Sequence, residues 1–179
     1  MKNKRKVEVV PYKQEWQERF ESESVKLKKV FGEEVITIHH IGSTAISGMP
    51  AKPIIDILLE VKDTEMVDKL NEKMEQIGYK VRGENGIVGR RYFQKEESGI
   101  RTYHVHVFQN GSLEIEKHLN FRDYLRSHPK VAQTYGKLKE ELAEKYPEDI
   151  ESYMQGKNNF IQEIDRKAKI WKNLLQFRG

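Results

Sequence analysis

His39-His40-Ile41-Gly42-Ser43-Thr44-Ala45-Ile46-Ser47-Gly48-Met49-Pro50-Ala51-Lys52-Pro53-Ile54-Ile55-Asp56-Ile57-Leu58-Leu59-Glu60-Val61 is the stretch from which the rest of the chain can be read. Its first residues continue a β-branched, apolar run that begins at Val35 and reads as a buried strand. Gly42 to Pro50 is then built of small residues and turn formers. From Pro53 to Val61 the chain is apolar almost throughout, broken in mid-strand by the carboxylate of Asp56. A glycine directly after a strand lets the backbone approach a ligand closely, and small neighbours leave its N–H groups free to donate. The hydroxyl of Ser43, with Thr44 beside it, adds a donor suited to a phosphate oxygen. An ionised Asp in an apolar strand is costly to bury unless it meets a cation or a metal. The turn and Asp56 are therefore expected to open on one anion-binding hollow. In it Asp56 would be a ligand for Mg2+ or Mn2+, since Mg2+ takes one or two protein carboxylates and fills its shell with substrate phosphates.

Working outward, Tyr12, Trp16, Phe20, Leu27 and Phe31 share one helical face and are read as packing, with Gly32 ending the helix. Asp63 can cap a helix whose core stripe is Met66/Val67, Leu70, Met74 and Ile77, closed by Gly78. Tyr79 to Phe108 reads as a run of strands, of which Arg101 to Phe108 is the clearest. Three helices follow: about 113–126, one carrying Val131, Tyr135, Leu138 and Leu142, and one from near Ile150 that carries Trp171. This order predicts an α+β fold, a mixed β-sheet packed against helices with a helical C-terminal part.

Two further sets of residues bear on chemistry. His104 and His106 stand two apart on a strand and so project to one face, whereas His39 and His40 project to opposite faces, so that only one of them can join the same site. Asp56, His104 and His106, with one of His39 and His40, could hold Zn2+, Mn2+ or Fe2+ better than Mg2+; the two histidines could equally contact phosphate directly. Lys52, before the second strand, and Arg91, with Arg90 and Arg101 near it, are candidates to complete an anion pocket. Lys117 and Arg122 read as charges on a helix surface.

Taken together, His39-His40-Ile41-Gly42-Ser43-Thr44-Ala45, Ala51-Lys52-Pro53-Ile54-Ile55-Asp56-Ile57, Tyr103-His104-Val105-His106-Val107, His118 to Arg126, and Val9-Val10-Pro11-Tyr12 with Trp16 and Phe20 closely resemble the GrpB family of the nucleotidyltransferase superfamily. The resemblance covers nearly the whole chain from about residue 7. It implies a nucleotidyltransferase-like fold, with Gly42, Ser43 and Thr44 on the phosphates of a nucleoside triphosphate. Asp56 and Ser43 would be the catalytic pair, and a divalent metal would assist transfer of a nucleotidyl group. The superfamily pattern, however, has a second carboxylate two residues after the first, and here that position is Leu58. Glu60 does not replace it, because residues four apart on a strand are separated by about 13 Å. Without the pair, two-metal phosphoryl chemistry loses its bridging ligand. Two other readings therefore stay open. One is a non-catalytic module that binds a nucleotide or other phosphorylated molecule, tied to coenzyme A metabolism because the family includes fusions to dephospho-coenzyme A kinase. The other is a histidine-based metal-dependent phosphohydrolase.

Bulk properties narrow the setting. At 179 residues, with 37% hydrophobic and 34% charged side chains, the chain fits one domain with one sizeable core and a well-solvated surface. The division expected is a basic flexible tail over 1–6 and a single domain over 7–179. The net charge of +4 is matched by the four cations of that tail, so charge points to no nucleic-acid partner. No apolar run approaches a membrane span, and no cysteine offers a disulfide or a thiolate metal site. A cytoplasmic protein is expected.

Overall fold

The strands expected on either side of the small-residue turn are β1 (Val35–Ile41) and β2 (Ile55–Val61), paired antiparallel with Ile41 opposite Asp56 and His39 opposite Leu58. The computed structural model, which describes residues 5–178, adds β3 (Tyr79–Val81), β4 (Arg91–Glu97) and β5 (Ile100–Gln109). The sheet order is β1-β2-β5-β4-β3. Only β2 and β5 run parallel, which makes the sheet mixed and sets Asp56 directly beside His104. The hairpin from β4 to β5 turns through Ser98 and Gly99, both at positive φ, where the turn twist matches that of the strands.

Strand parity gives each face its role. Ile55, Ile57, Leu59 and Val61 of β2 and Val105 and Val107 of β5 point to one side, where α1 (Glu15–Phe31) covers them with Trp16, Leu27 and Phe31. A buried ion pair fastens α1 to this face: Glu23 accepts from Lys95 Nζ at 2.6 Å and from the Tyr79 hydroxyl at 2.8 Å. On the same side the segment after Asp63, expected as one helix, forms two short ones, α2 (Thr64–Asp68) and α3 (Asn71–Gln76). Asp63 caps the first by accepting from the Glu65 N–H at 2.9 Å. Val67 and Met74 are fully buried across the break, so the apolar period persists while the backbone ladder does not.

Asp56, Leu58, His104, His106 and Phe108 point to the other side. There α4 (Leu113–Ser127) sets Ile115 on Ile41, Leu58 and Phe108. With α5 (Pro129–Lys145) and α6 (Ile150–Gln176) it encloses a second cluster that includes Ile46, Met49, Tyr124, Leu125, Tyr135 and Ile164. A methyl group on Gly136 would lie 2.9 Å from Pro50 Cδ, so this glycine lets the 46–50 turn rest on α5. The basic stretch 1–6 falls partly outside the described residues, which begin at Arg5. From there the chain is tied down, Val7 N–H donating to Pro147 O at 2.8 Å and Val10 pairing with Ala51. The architecture is α+β, a mixed sheet with helices and a helical C-terminal part. Among the described residues no helix is long and apolar enough to cross a membrane.

Candidate functional site

Ser43, Thr44, Lys52, Asp56, His104 and His106 all line one cleft of about 420 Å3, bounded by the C-terminal end of β1, the N-terminal end of β2, β4, β5 and the helices α5 and α6. At its floor the parallel register brings both imidazoles onto a single carboxylate oxygen. His106 Nε2 lies 3.1 Å and His104 Nδ1 3.5 Å from Asp56 Oδ1. The His106 tautomer follows from its other side: Arg90 Nη1, which can only donate, is 3.4 Å from His106 Nδ1, so Nδ1 accepts and the Nε2 proton goes to Asp56. Burial alone would raise the Asp56 carboxyl, but the hydrogen bonds from His104 and His106 outweigh it and hold the group well below the usual carboxylate range. Asp56 is ionised at any physiological pH. His104 Nε2 is buried and has no hydrogen-bond partner.

The turn after β1 is shaped around this carboxylate. Gly42 has φ +73° and ψ −172°, a region that only glycine adopts without strain. A methyl group there would sit 2.8 Å from Asp56 Oδ2. Gly42 was expected to approach a phosphate; what its bare Cα adjoins is Asp56. Ser43 opens a short 3-10 turn (Ser43–Ala45) and reaches the Tyr135 side chain of α5. The Thr44 hydroxyl, expected to bind ligand, is buried and 2.9 Å from His40 Nε2, while His40 Nδ1 is 3.3 Å from Gln17 Oε1. Burial holds the His40 pKa down to about 4, so Nδ1–H donates to Gln17 and Nε2 accepts from Thr44.

Neither His39 nor His40 reaches the cleft. His40 lies on the α1 face, stacked on Phe20 with ring centroids 4.7 Å apart. His39 shares the Asp56 face but is placed toward Glu60, 3.4 Å from its Oε1, opposite Leu58. Arg91 also departs from expectation. With Phe93 and Lys95 it faces the α2 side of the sheet, and its guanidinium grips both oxygens of Asp68 at 2.7 and 3.2 Å. Its neighbour Arg90 takes the place foreseen for it, anchored by the carbonyls of Glu84 and Asn85. Arg122, read as a surface charge, donates to His40 O at 3.1 Å and so ties α4 to β1.

The sequence reading placed Lys52, Arg90 and Arg101 near an anion pocket but missed the basic residues that the N-terminal segment and the helices add. Besides Lys52, the lining holds Arg5, Arg90 and Arg101, and from the far wall Lys139 of α5 and Lys157 of α6. Lys139 is 2% exposed and Lys157 8%. Burial first, then the neighbouring lysines, lowers Lys139 to about 6 and Lys157 to about 8. Each Nζ sits over a tyrosine ring one helical turn earlier, Lys139 at 4.6 Å from Tyr135 and Lys157 at 4.7 Å from Tyr153. That repeated Tyr-x-x-x-Lys was the available signal. His118 was likewise passed over; it lies behind His106 with centroids 5.6 Å apart, and burial holds it down to about 4.

These residues do not fit a resident metal centre. Among the described residues no three His, Asp or Glu are arranged to hold an ion. Both imidazoles are turned onto Asp56, and the position of a second carboxylate is filled by Leu58, which is fully buried against Ile41, Phe108 and Ile115. A divalent ion carried in on a ligand's phosphates would be part of that ligand.

The comparisons with known proteins agree with this topology. The profile of the family described as "GrpB protein" matches residues 6–167. The chain belongs to the GrpB family. The glutamate-rich protein GrpB of Alkalihalophilus pseudofirmus is 39% identical over 166 residues, covering 90% of this chain and 95% of that protein. UPF0157 protein YqkA of Bacillus subtilis is 52% identical over 169 residues, 94% of this chain, yet the chain spans only 49% of YqkA. A crystal structure of the conserved protein GrpB from Enterococcus faecalis superposes with TM-score 0.87 at 44% identity, covering 92% of this chain and 99% of that one. The Cid1 poly(U) polymerase shares the fold alone, with TM-score 0.51 at 11% identity over 76% of this chain and 43% of its own. This GrpB-family chain thus has a nucleotidyltransferase-like fold.

Proposed function

We propose that the cleft binds a nucleoside triphosphate or a related phosphorylated small molecule. One observation carries the reading: Arg5, Lys52, Arg90, Arg101, Lys139 and Lys157 surround a cleft in which Asp56 is the one acidic residue among the described lining. Gathering that many basic side chains is costly in self-repulsion, even with Lys139 largely neutral, and a polyanionic ligand offsets that cost. A cleft of about 420 Å3 is of the size that small-molecule ligands occupy. In this reading Asp56 does not touch phosphate. It fixes the His106 tautomer, which in turn receives Arg90 and keeps that guanidinium in the cleft wall.

The test is displacement of a fluorescent nucleotide by ATP and by coenzyme A precursors. The latter are included because a protein named dephospho-CoA kinase in Mycolicibacterium paratuberculosis is 25% identical over 92% of this chain. Lys52→Ala and Arg101→Ala should each weaken binding by about tenfold, in keeping with loss of one charge-assisted contact. Affinity should also fall with added salt. Absence of binding by all of these ligands contradicts the proposal. Nucleotidyl transfer is the second reading, favoured by the fold shared with Cid1 and by an ionised Asp56 beside Gly42. It requires pyrophosphate release from a metal–nucleotide complex that disappears in Asp56→Ala.

A further inference from the structure

The wall formed by α5 and α6 contains polar groups that the protein itself leaves unpartnered. Lys139 Nζ and the Tyr153 hydroxyl are both buried and make no hydrogen bond, although both residues line the cleft. Lys157 is beside them on α6, and Lys52, which precedes β2, places its Nζ 5.4 Å from the Tyr153 ring. An amine and a phenol buried without partners cost free energy that folding does not recover. Such groups are expected where a ligand completes them.

We propose that this wall is an oxyanion subsite in which Lys139, with Lys52, Lys157 and the Tyr153 hydroxyl, receives one phosphoryl group, and that Lys139 takes up a proton from solvent as the group enters. The proposal rests on the reading of the cleft as a phosphate site and specifies how that site works. The groups facing Lys139 are Lys157 and Tyr153 of α6, Lys52 of the preceding loop, and Tyr135 and Glu140 of its own helix. Only Glu140 favours its charged form among the ionised ones, and burial and the two lysines prevail over it. Its amine is therefore mostly neutral in the free protein at neutral pH, with an ordinary value already lowered to about 6. A phosphoryl oxyanion placed among the lysines reverses the balance and favours the ammonium. The proton moves from water to Lys139 Nζ, and no covalent bond forms or breaks.

Trimetaphosphate is a suitable probe because this cyclic trianion does not titrate near neutrality. Calorimetric titration of the whole chain at pH 7.5, in two buffers of different ionisation enthalpy, should show uptake of about one proton per ligand bound. Binding should weaken as pH rises from 6 to 8, by up to about tenfold per unit. Lys139→Gln should remove most of the uptake and most of the pH dependence, leaving the smaller part that Lys157 supplies. The wild-type measurement needs no variant, so a misfolded Lys139→Gln protein leaves the proposal open to refutation. Binding of trimetaphosphate with no proton uptake overturns this inference and leaves the cleft reading intact, as does binding of ATP without binding of trimetaphosphate. If neither anion binds, this inference falls, and the cleft reading falls with it only where the coenzyme A precursors also fail to bind.

Discussion

Gly42 and Asp56 are best understood as one unit. The glycine's conformation and the 2.8 Å approach expected of any Cβ to Asp56 Oδ2 mean that its place in the turn is imposed by the carboxylate. Gly42→Ala should therefore lower stability by at least about 1–3 kcal/mol from the backbone alone, measured by urea unfolding. The carboxylate makes a pH prediction of its own. Its pKa is depressed in the folded state, so its contribution to stability is fully present above the unfolded value of about 4 and is lost as pH falls below it. The stability gap between wild type and Asp56→Asn should thus narrow as pH falls below about 4. A gap that stayed unchanged between about pH 5 and about pH 2 would contradict the hydrogen-bonded, ionised Asp56. At this scale the sequence was informative where a residue type was out of place. A lone Asp in an apolar strand and two histidines with period two were legible. Arg90 and Arg91 were not separable, because adjacent residues face opposite ways and the start of β4 decides which one enters the cleft.

At the scale of elements, β2 carries the departure that limits the chemistry. Leu58 lies two residues beyond Asp56 on the same face, but α4 has closed over it through Ile115, so this position belongs to the core and not to the cleft. Leu58→Asp should accordingly cost more than about 3 kcal/mol, since it removes a packed side chain and buries a charge. It should confer no metal-dependent pyrophosphate release. A stable Leu58→Asp protein that gains such release would show that α4 yields and that the second-carboxylate position is open. The elements themselves were largely readable: both strands around the turn, α1, α4, α5 and α6 all follow from apolar period and caps. The split of the segment after Asp63 into α2 and α3 was not, because Val67, Leu70, Met74 and Ile77 keep a helical period through the interruption.

Across the whole molecule, the cleft is assembled from parts distant in the chain. Arg5 comes from the N-terminal segment, Asp56 and His106 from the sheet, and Lys139 and Lys157 from two helices that follow it. This explains why the anion site was only half legible. A lysine on an amphipathic helix reads as surface, and nothing local shows that α5 and α6 turn that face toward β2. The parallel pairing of β2 with β5 is likewise a property of the whole fold, and it places His104 beside Asp56 from a distance of 48 positions along the sequence. The most direct test of the account is histidine-selective NMR of the whole chain during titration with ATP. His104 and His106, at the floor of the cleft, should shift with a common saturation curve, while His39 beside Glu60 and His128 against Trp171 should not. Saturable shifts confined to His39 or His128, or none at His104 and His106 with ATP in large excess, would contradict it.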